Sequence, residues 1–322
     1  MAFNVVARLA GADLRAVDDL IRESLQSDVA LVSQVSEYIV TGGGKRLRPL
    51  IVLLAARALG YAGRRHIHAA AIIEFIHTAT LLHDDVVDSS ARRRGRDTAN
   101  TVFGNQASVL VGDFLYSRAF QMMVDVGRMR VMRILADATN TIAAGEVMQL
   151  MNVHDPEISE NSYRQVIYRK TARLFEAGAQ IAAVLADRHP EDEAAMICYG
   201  RNLGTAFQLV DDALDYGASP DELGKNLGDD LAEGKMTLPL IYAMENASAS
   251  DRKMIRSAIE ADGLERLAEI QGVIEATGAL QYTAARAQEA ADLAIDSLAV
   301  IPASEHRQAL IAIAEFAVKR RS

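Results

Sequence analysis

The sequence predicts an all-α protein built as a bundle of about ten to thirteen helices. Apolar residues recur at helical spacing along almost the whole chain, as expected for helices that each bury one face. The six prolines fall at breaks between these segments or in first turns, where a helix tolerates proline. Runs of alternating β-branched and aromatic residues, which would indicate strands, are essentially missing.

Each predicted helix continues until a glycine, a proline or a polar cluster interrupts the periodic pattern. The helices at 66–88 and 191–216 are apolar over most of their surfaces, which is typical of central helices in a bundle. No Ser- or Gly-rich linker divides the chain, so we expect a single domain over 1–322. In chain order, the predicted helices span 3–24, 28–41, 46–59, 66–88, 105–126, 129–151, 160–186, 191–216, 237–246, 251–261, 263–276, 278–299 and 303–319.

Composition excludes several classes of protein. The net charge of −9 argues against a general nucleic-acid binder, so an anionic substrate would need local basic patches. The single cysteine, Cys198, excludes an internal disulfide and fits a reducing compartment. No uninterrupted apolar run approaches the ~18–20 residues that a transmembrane segment needs. We therefore expect a cytoplasmic protein.

Two clusters of three aspartates are the most informative feature. The first acidic motif is Asp84, Asp85 and Asp88, and the second acidic motif is Asp211, Asp212 and Asp215. The outer aspartates of each motif share a helix face, where like charges destabilise a helix by roughly 0.2–0.5 kcal/mol per pair. Each motif also lies near the predicted C-terminal end of its helix, where the macrodipole disfavours negative charge. A cation must offset this cost twice, and Mg²⁺, which prefers oxygen ligands, is the natural candidate.

A glycine-rich basic segment, Thr41–Pro49, is a candidate anion site. Three glycines precede Lys45, Arg46 and Arg48 where a predicted helix begins. Free backbone N–H groups, the positive end of the helix dipole and the cationic side chains all favour an anion there. A surface turn followed by a basic patch would have the same sequence, and this alternative stays open.

Other polar residues could complete phosphate sites, although each has a plainer alternative. The run Arg92–Arg94 follows the first acidic motif, where guanidinium groups suit phosphate, but a solvated loop would look the same. His77 lies two helical turns before Asp84, and a lone histidine in an apolar helix is more often a core residue. Four further candidates would also be ordinary surface residues: Lys170, Thr171, Lys225 and Lys235.

Carboxylates for Mg²⁺ together with two basic segments describe a site for two phosphorylated substrates. Phosphoryl transfer would bring a nucleotide loop such as GxxxxGK[ST] or GxGxxG, and neither pattern occurs. The remaining chemistry is departure of a diphosphate with the C–O electron pair, which leaves an allylic cation in an apolar cavity.

With these residues in place, the sequence resembles the trans-isoprenyl diphosphate synthases, specifically their long-chain octaprenyl and decaprenyl branch. Two ordered DDxxD motifs with GGKRLRP upstream and KT between them are a far more specific combination than one motif. The resemblance implies the all-α isoprenoid synthase fold around a large central cavity. Matching segments span most of the chain: GGGKRLRPLIVLLAA, EFIHTATLLHDDVVD, RRRG, FGNQASVLVGDFLYSRAFQMM, GEVMQLMNV, YRKTARLFEAGAQ, LGTAFQLVDDALDY and GKNLGDDLAEGKMTLPL.

The activity implied by the resemblance is Mg²⁺-dependent prenyl transfer. Isopentenyl diphosphate would add head-to-tail to an allylic diphosphate, farnesyl or geranylgeranyl, and the aspartates of both motifs would bind two or three Mg²⁺ ions. The isopentenyl diphosphate pocket would correspond to Lys45, Arg48, His77 and Arg94. The contacts to the allylic diphosphate would correspond to Arg93, Lys170, Thr171, Gln208, Lys225 and Lys235. The three lysines among these residues and the six aspartates of the motifs would be the catalytic residues.

The sequence departs from the family pattern at two places. Met236 stands where a proline is usual, and SSARRRG lacks an acidic residue that is common after Asp88 in relatives.

Product length is predicted from the helix face that precedes the first acidic motif. Short-chain relatives carry Phe or Tyr one turn before the motif, whereas Ala79 and Thr80 are small, and Ile76 follows one turn deeper. One isoprene unit is about as long as one ~5.4 Å helical turn, so an open shaft favours products of about C40–C50 for a quinone such as ubiquinone. Any floor would lie deeper, among Met122, Met123 and Val126.

Several alternatives stay open from the sequence. A geranylgeranyl- or farnesyl-length synthase would share the motifs, whereas a non-catalytic subunit of a heteromeric synthase would be expected to lose one of them. A terpene cyclase would not need the second basic pocket and usually has more than the 5% aromatic residues found here. A ferritin-like carrier would need facing Glu-x-x-His pairs, which are not found. The resemblance also implies a homodimer.

Overall fold

Helices make up almost all of the regular structure in the described part of the chain. The structure is a computed structural model and describes residues 6, 8–93, 95–217, 228–261 and 263–320. The predicted all-α class is confirmed. No helix in these ranges has the length and apolar character that spanning a bilayer requires.

Most of the α-helices lie close to their predicted positions, whereas the short helices at 99–103 and 229–232 have no predicted counterpart. In chain order they are α1 Gly11–Ser24, α2 Ala30–Thr41, α3 Leu47–Ala58, α4 Arg65–Val87, α5 Ala99–Phe103, α6 Asn105–Val126, α7 Met129–Asn152, α8 Glu160–Ile167, α9 Arg173–Leu185, α10 Pro190–Gly217, α11 Asp229–Ala232, α12 Leu238–Asn246, α13 Ala249–Glu260, α14 Leu267–Thr277, α15 Ala279–Ser297 and α16 Glu305–Lys319. Short 3₁₀ segments occupy Gly263–Arg266 and Leu298–Val300.

The chain groups into two compact units, which are described separately. The first unit comprises Met1–Thr139, Leu174–Gly200 and Ile295–Ile313, and the second comprises Asn140–Arg173, Arg201–Ala294 and Ala314–Ser322. The expected single domain over 1–322 stays a prediction.

In the first unit, α4 packs against α1, α3 and α6. It buries residues on every side, including Ile72, Ile73 and Ile76, none of which has exposed surface. A helix that is apolar all round must be surrounded by other helices, so α4 is the central helix that the sequence predicted for this part of the chain.

In the second unit, the end of α10 packs with α8, α11 and α12 in one apolar cluster. Leu209, Leu231 and Leu238 of this cluster are fully buried or nearly so. Proline in the first turn of α12 starts that helix without removing an intrahelical hydrogen bond. The core therefore fixes the α10 turn that carries the second acidic motif.

The expectation that strands are essentially missing needs one correction. Arg92–Arg93 and Arg96–Asp97 pair as a two-residue antiparallel hairpin, β1 and β2, directly after the first acidic motif. Gly95 in the turn has φ +75°, a conformation that glycine adopts without strain. Two residues per strand are too few to produce an alternating pattern, so the sequence gives no strand signal here.

The predicted helix over 160–186 is also interrupted. Tyr168–Ala172 form a π-helical turn between α8 and α9. The π turn lies against α7, where a Cβ on Gly145 would come within 2.7 Å of the Cβ of Arg169. π turns are uncommon overall, and those that occur are often found at functional sites. The position of Lys170 and Thr171 within this one therefore marks it as a candidate site.

Candidate active site

The first acidic motif ends α4. The helix finishes at Val87 and Asp88 is its C-cap, so the predicted position near the negative end of a helix dipole is correct. Asp85 is buried, and one of its carboxylate oxygens accepts hydrogen bonds from Arg93 Nε at 2.8 Å and Nη2 at 2.7 Å. Burial raises the pKa of Asp85, which Arg93 opposes by stabilising the charged form.

The β1–β2 hairpin is what brings Arg93 to the motif. Asn100 of α5 donates to the backbone oxygens of Asp85 and Ser90 at 3.1 and 3.3 Å, which holds the loop against the end of α4. Arg93 thus lies where the sequence predicted a phosphate contact, whereas Arg94 lies outside the described residues.

The glycine-rich basic segment adopts an unusual backbone. Gly43, Gly44 and Arg46 have φ values of +72°, +148° and +46° before α3 begins at Leu47. Arg46 pairs with Glu74 of α4 and lies 3.6 Å from Asp18 of α1, so its role is to anchor the segment. Lys45 remains exposed.

Arg48 and His77 are brought together as predicted. A nitrogen of the Arg48 guanidinium lies 3.1 Å from His77 Nε2, and the guanidinium also lies 4.5 Å above the ring of Phe175. Arginine has only donors, so Nε2 of His77 is the acceptor of this hydrogen bond. The pair forms a half-buried cationic site within the first unit.

The residues predicted to set product length lie on α4, before the first acidic motif. Ala79 and Ile76 have no exposed surface, whereas Thr80 is half-buried and its hydroxyl donates to the His77 carbonyl at 2.8 Å. The expected floor residues are buried in the same unit, with exposed fractions between 1% and 5%: Met122, Met123 and Val126.

In the second unit, the π turn and the second acidic motif are connected by hydrogen bonds. The Thr171 hydroxyl donates to Gln208 Oε1 at 2.9 Å, and Gln208 Nε2 donates to Asp212 Oδ1 at 2.7 Å. Lys170 Nζ donates to Glu146 Oε2 at 2.6 Å and Gln149 Oε1 at 2.7 Å, both on α7. Thr171 and Gln208, which lie far apart in sequence, are therefore in direct contact, and Lys170 precedes Thr171 in the same π turn.

Each aspartate of the second motif has a different partner. Asp211 accepts a hydrogen bond from Arg320 at 2.8 Å, and buried Asp215 accepts one from the backbone N–H of Asp230 at 3.1 Å. Asp212 is buried, and Tyr163 donates its hydroxyl proton to Oδ2. Burial and the nearby Asp230 carboxylate raise the pKa of Asp212, whereas hydrogen bonds from Tyr163 and Gln208 oppose the rise.

Of the two lysines predicted after the second motif, one is described. Lys235 is largely buried, its ammonium pairs with Glu233, and its backbone N–H donates to the Asp230 carbonyl at 2.8 Å. It therefore belongs to the second unit and lies beside a residue that contacts the motif. Lys225 lies outside the described residues.

Carboxylate chemistry fits Mg²⁺ at both motifs. Within the described ranges, no three Asp, Glu, His or Cys side chains cluster tightly enough to form a complete metal site. Mg²⁺ usually keeps several waters and binds one or two carboxylates plus substrate phosphates, so a full protein cage is not needed. The predicted metal ligands stay a prediction.

Sequence reasoning missed four residues of this site: Asn100, Glu146, Tyr163 and Arg320. Tyr163 precedes Lys170 by two helical turns on a predicted helix, which is the one signal that could have indicated it. The others carry no local signal, because their importance arises from contacts distant in sequence.

Solved structures share this fold over the whole chain. The crystal structure of a polyprenyl synthase from Caulobacter crescentus, complexed with calcium and isoprenyl diphosphate, matches with a TM-score of 0.97 at 45% identity, covering 100% of this chain and 98% of that one. A decaprenyl diphosphate synthase from Rhodobacter capsulatus matches with a TM-score of 0.93 at 43% identity, covering 100% of both chains. The protein is therefore an all-α protein of the isoprenoid synthase fold, as predicted.

Sequence comparison then defines the family. The sequence model for polyprenyl synthetase matches residues 29–277. Octaprenyl diphosphate synthase of Escherichia coli is 54% identical over 321 residues, covering 99% of both chains. The chain belongs to the polyprenyl synthetase family, and the predictions of a polyprenyl diphosphate synthase and of its long-chain branch are confirmed.

Proposed function

We propose that the protein condenses isopentenyl diphosphate head-to-tail onto an allylic diphosphate, farnesyl or geranylgeranyl diphosphate, to make a long-chain all-trans polyprenyl diphosphate. The observation that carries this proposal is the cluster in the second unit, where Thr171, Gln208 and Asp212 form a hydrogen-bonded series beside Lys170. It combines the carboxylate that a diphosphate-bound metal needs with a cation and a hydroxyl suited to the diphosphate itself.

A second anion subsite is supported by the first unit. Arg48 and exposed Lys45 can bind a diphosphate, and His77 can donate a hydrogen bond to it after a change of tautomer or protonation. We assign this subsite, with Arg94, to isopentenyl diphosphate. Two subsites account for two phosphorylated substrates, which a terpene cyclase would not need.

Mg²⁺ held by the two acidic motifs, as two or three ions, would supply the charge that stabilises the departing diphosphate. Calcium accompanies isoprenyl diphosphate in the related Caulobacter crescentus structure, which supports a divalent cation in this family. Lys170, Lys225 and Lys235 would add positive charge near the leaving group, and Arg93 would contact the same diphosphate. The double bond of isopentenyl diphosphate is the nucleophile, so no side chain needs to attack.

The proposed product length is about C40–C50, since Ala79 and Thr80 are small where short-chain relatives carry Phe or Tyr, and each isoprene unit needs about one ~5.4 Å helical turn. The names of relatives agree: octaprenyl for 54% identity, all-trans-nonaprenyl for 46% and decaprenyl for 43%. Quinone side chains, ubiquinone among them, are the proposed destination. The single cysteine supports a cytoplasmic location.

We also propose a homodimer that uses α6. Four apolar residues lie exposed along one stripe of this helix: Val109 at 37%, Leu110 at 65%, Phe120 at 41% and Val124 at 62%. A stripe this apolar on one helix face is typical of a protein–protein contact, and a second copy would cover it.

The test is incubation of the purified protein with farnesyl diphosphate, labelled isopentenyl diphosphate and Mg²⁺, followed by dephosphorylation and chromatographic sizing. We expect products of about eight to ten isoprene units and complete loss of product with EDTA. A product of four units, one more than the farnesyl primer, would support the shorter-chain alternative instead. Absence of any EDTA-sensitive condensation would overturn the proposed activity.

A further inference from the structure

Tyr163 occupies a fixed position beside the second acidic motif. It lies in the first turn of α8, where Ser159 caps the helix by accepting from the Ser162 N–H at 3.2 Å. The Tyr163 backbone N–H also donates to the Ser159 carbonyl at 3.0 Å. Its side chain is 4% exposed and its ring belongs to the apolar cluster of the second unit. The backbone and the packing therefore fix where the hydroxyl group points.

The partner of that hydroxyl is a predicted metal ligand. Asp212 accepts one hydrogen bond at each carboxylate oxygen, from Gln208 at Oδ1 and from Tyr163 at Oδ2. A carboxylate has about four lone-pair sites, so both oxygens can still bind a cation. The two donors, one on each oxygen, hold the carboxylate in place and leave lone pairs available to a cation.

A buried tyrosine with only a structural role needs no charged partner for its hydroxyl group. Buried Tyr199 donates its hydroxyl proton to the Leu310 carbonyl at 2.8 Å, which meets its hydrogen-bonding need with a neutral backbone group. Tyr163 instead donates to the buried Asp212 carboxylate. The two hydrogen-bond donors to this carboxylate, Tyr163 and Gln208, are both neutral. A neutral donor on a buried carboxylate fixes its orientation without competing with a metal ion for it.

We propose that Tyr163 is a positioning residue for metal binding at the second acidic motif: its hydroxyl holds the Asp212 carboxylate in the orientation that binds the cation of the allylic diphosphate complex. This role rests on the proposed function. Thr171, Gln208, Asp212 and Tyr163 then form one series of hydrogen bonds from the substrate cluster to the apolar core.

The test is a Mg²⁺ titration of Tyr163→Phe, which removes one hydroxyl and keeps the ring. Loss of a group that orients a metal ligand typically weakens metal affinity about 10–100-fold, so we expect the Mg²⁺ concentration for half-maximal activity to rise by about that factor, with kcat changed less. A readout independent of turnover is thermal unfolding with Mg²⁺ and inorganic pyrophosphate. We expect the metal concentration that stabilises the protein to rise by the same factor.

Tyr199→Phe is the matched control, because it also removes a buried hydroxyl hydrogen bond, but one whose acceptor is a backbone carbonyl and not a predicted metal ligand. It should lower the melting temperature and leave both Mg²⁺ midpoints unchanged. The inference would be overturned if the Mg²⁺ midpoints of the wild type and Tyr163→Phe were equal, or if both variants shifted the midpoints equally. It would also be overturned if Tyr163→Phe, but not Tyr199→Phe, showed no cooperative thermal unfolding. Failure of the proposed function is distinguishable, since the wild type would then show no Mg²⁺-dependent condensation at all.

Discussion

Arg320 of the second unit donates a hydrogen bond to Oδ1 of Asp211 at 2.8 Å, so the residue that follows α16 is attached to the second acidic motif. The Arg320 side chain is 6% exposed, donates to the Phe207 carbonyl at 2.7 Å and lies 3.8 Å above the Phe207 ring. One of the three carboxylates of the motif is thereby neutralised by the protein itself, which lowers the repulsion within the motif.

Replacing Arg320 with glutamine should destabilise the protein and reduce activity together. Hydrogen bonds to charged groups are worth about 1.5–3 kcal/mol, so the free energy of unfolding should fall by an amount in this range. Chemical denaturation and steady-state kinetics measure the two effects. Arg320→Lys is the control that keeps the charge but loses the planar stacking on Phe207. If Arg320→Gln matched the wild type in both measurements, the contact with Asp211 would have no energetic role.

Neutralising one aspartate in either motif should abolish catalysis while the fold is retained. Asp84→Asn and Asp212→Asn each remove a negative charge without changing shape, and we expect kcat to fall by about 10²-fold or more because charge stabilisation of the leaving group is lost. Exposed Asp125, on α6, provides the control Asp125→Asn. Near wild-type turnover in either motif variant would exclude that aspartate as a metal ligand.

Most helices could be predicted because each carries its own signal. Apolar periodicity identified α4 and α10; Pro190 and Gly217 mark the ends of α10, and a polar cluster follows α4. The β1–β2 hairpin and the π turn at Lys170 could not be predicted in this way. The strands of the hairpin are too short to give an alternating pattern, and the π turn lies against Gly145, which is distant from it in sequence.

The same distinction applies to the site. The aspartates of both motifs could be identified from sequence because three carboxylates in an apolar helix are locally unfavourable and need an explanation. Tyr163 on a helix face and Arg320 after the last helix are locally ordinary. Only the structure shows that both contact the second acidic motif.

Replacing Ala79 with a bulky residue should shorten the product. Ala79 has no exposed surface, so Ala79→Phe must displace its surroundings and we expect its ring to block chain growth, with products of fewer isoprene units. Ala71→Phe, at an equally buried alanine earlier on α4, controls for the ~1–3 kcal/mol that overpacking alone costs. Product chromatography measures the outcome. Identical product lengths in the wild type and Ala79→Phe would place the growing chain elsewhere.

A buried histidine in the first unit predicts how stability depends on pH. His66 has no exposed side-chain surface, its Nε2 lies 3.0 Å from Asp13 Oδ2, and its Nδ1 has no hydrogen-bond partner in the described part of the chain. Arg57 also donates to Asp13, at 2.9 and 3.0 Å. Burial lowers the pKa of His66 most strongly, Asp13 opposes this, and Arg57 and Arg64 lower it further. Burial likewise lowers the pKa of His306, with Arg57 next.

Because the folded-state pKa of His66 lies below the ordinary value of about 6.5, the unfolded chain binds more protons over the interval between the two. The stabilisation is therefore complete above about pH 6.5 and is lost as the pH falls through the folded-state value. We expect the free energy of unfolding to decrease between pH 7.5 and pH 5.5, and to decrease less in His66→Gln, which cannot titrate. Denaturant titrations at several pH values measure both slopes, with exposed His189→Gln as the control. His66→Gln removes the buried imidazole. If its stability depended on pH as that of the wild type does, protonation of His66 would not be the cause of the destabilisation.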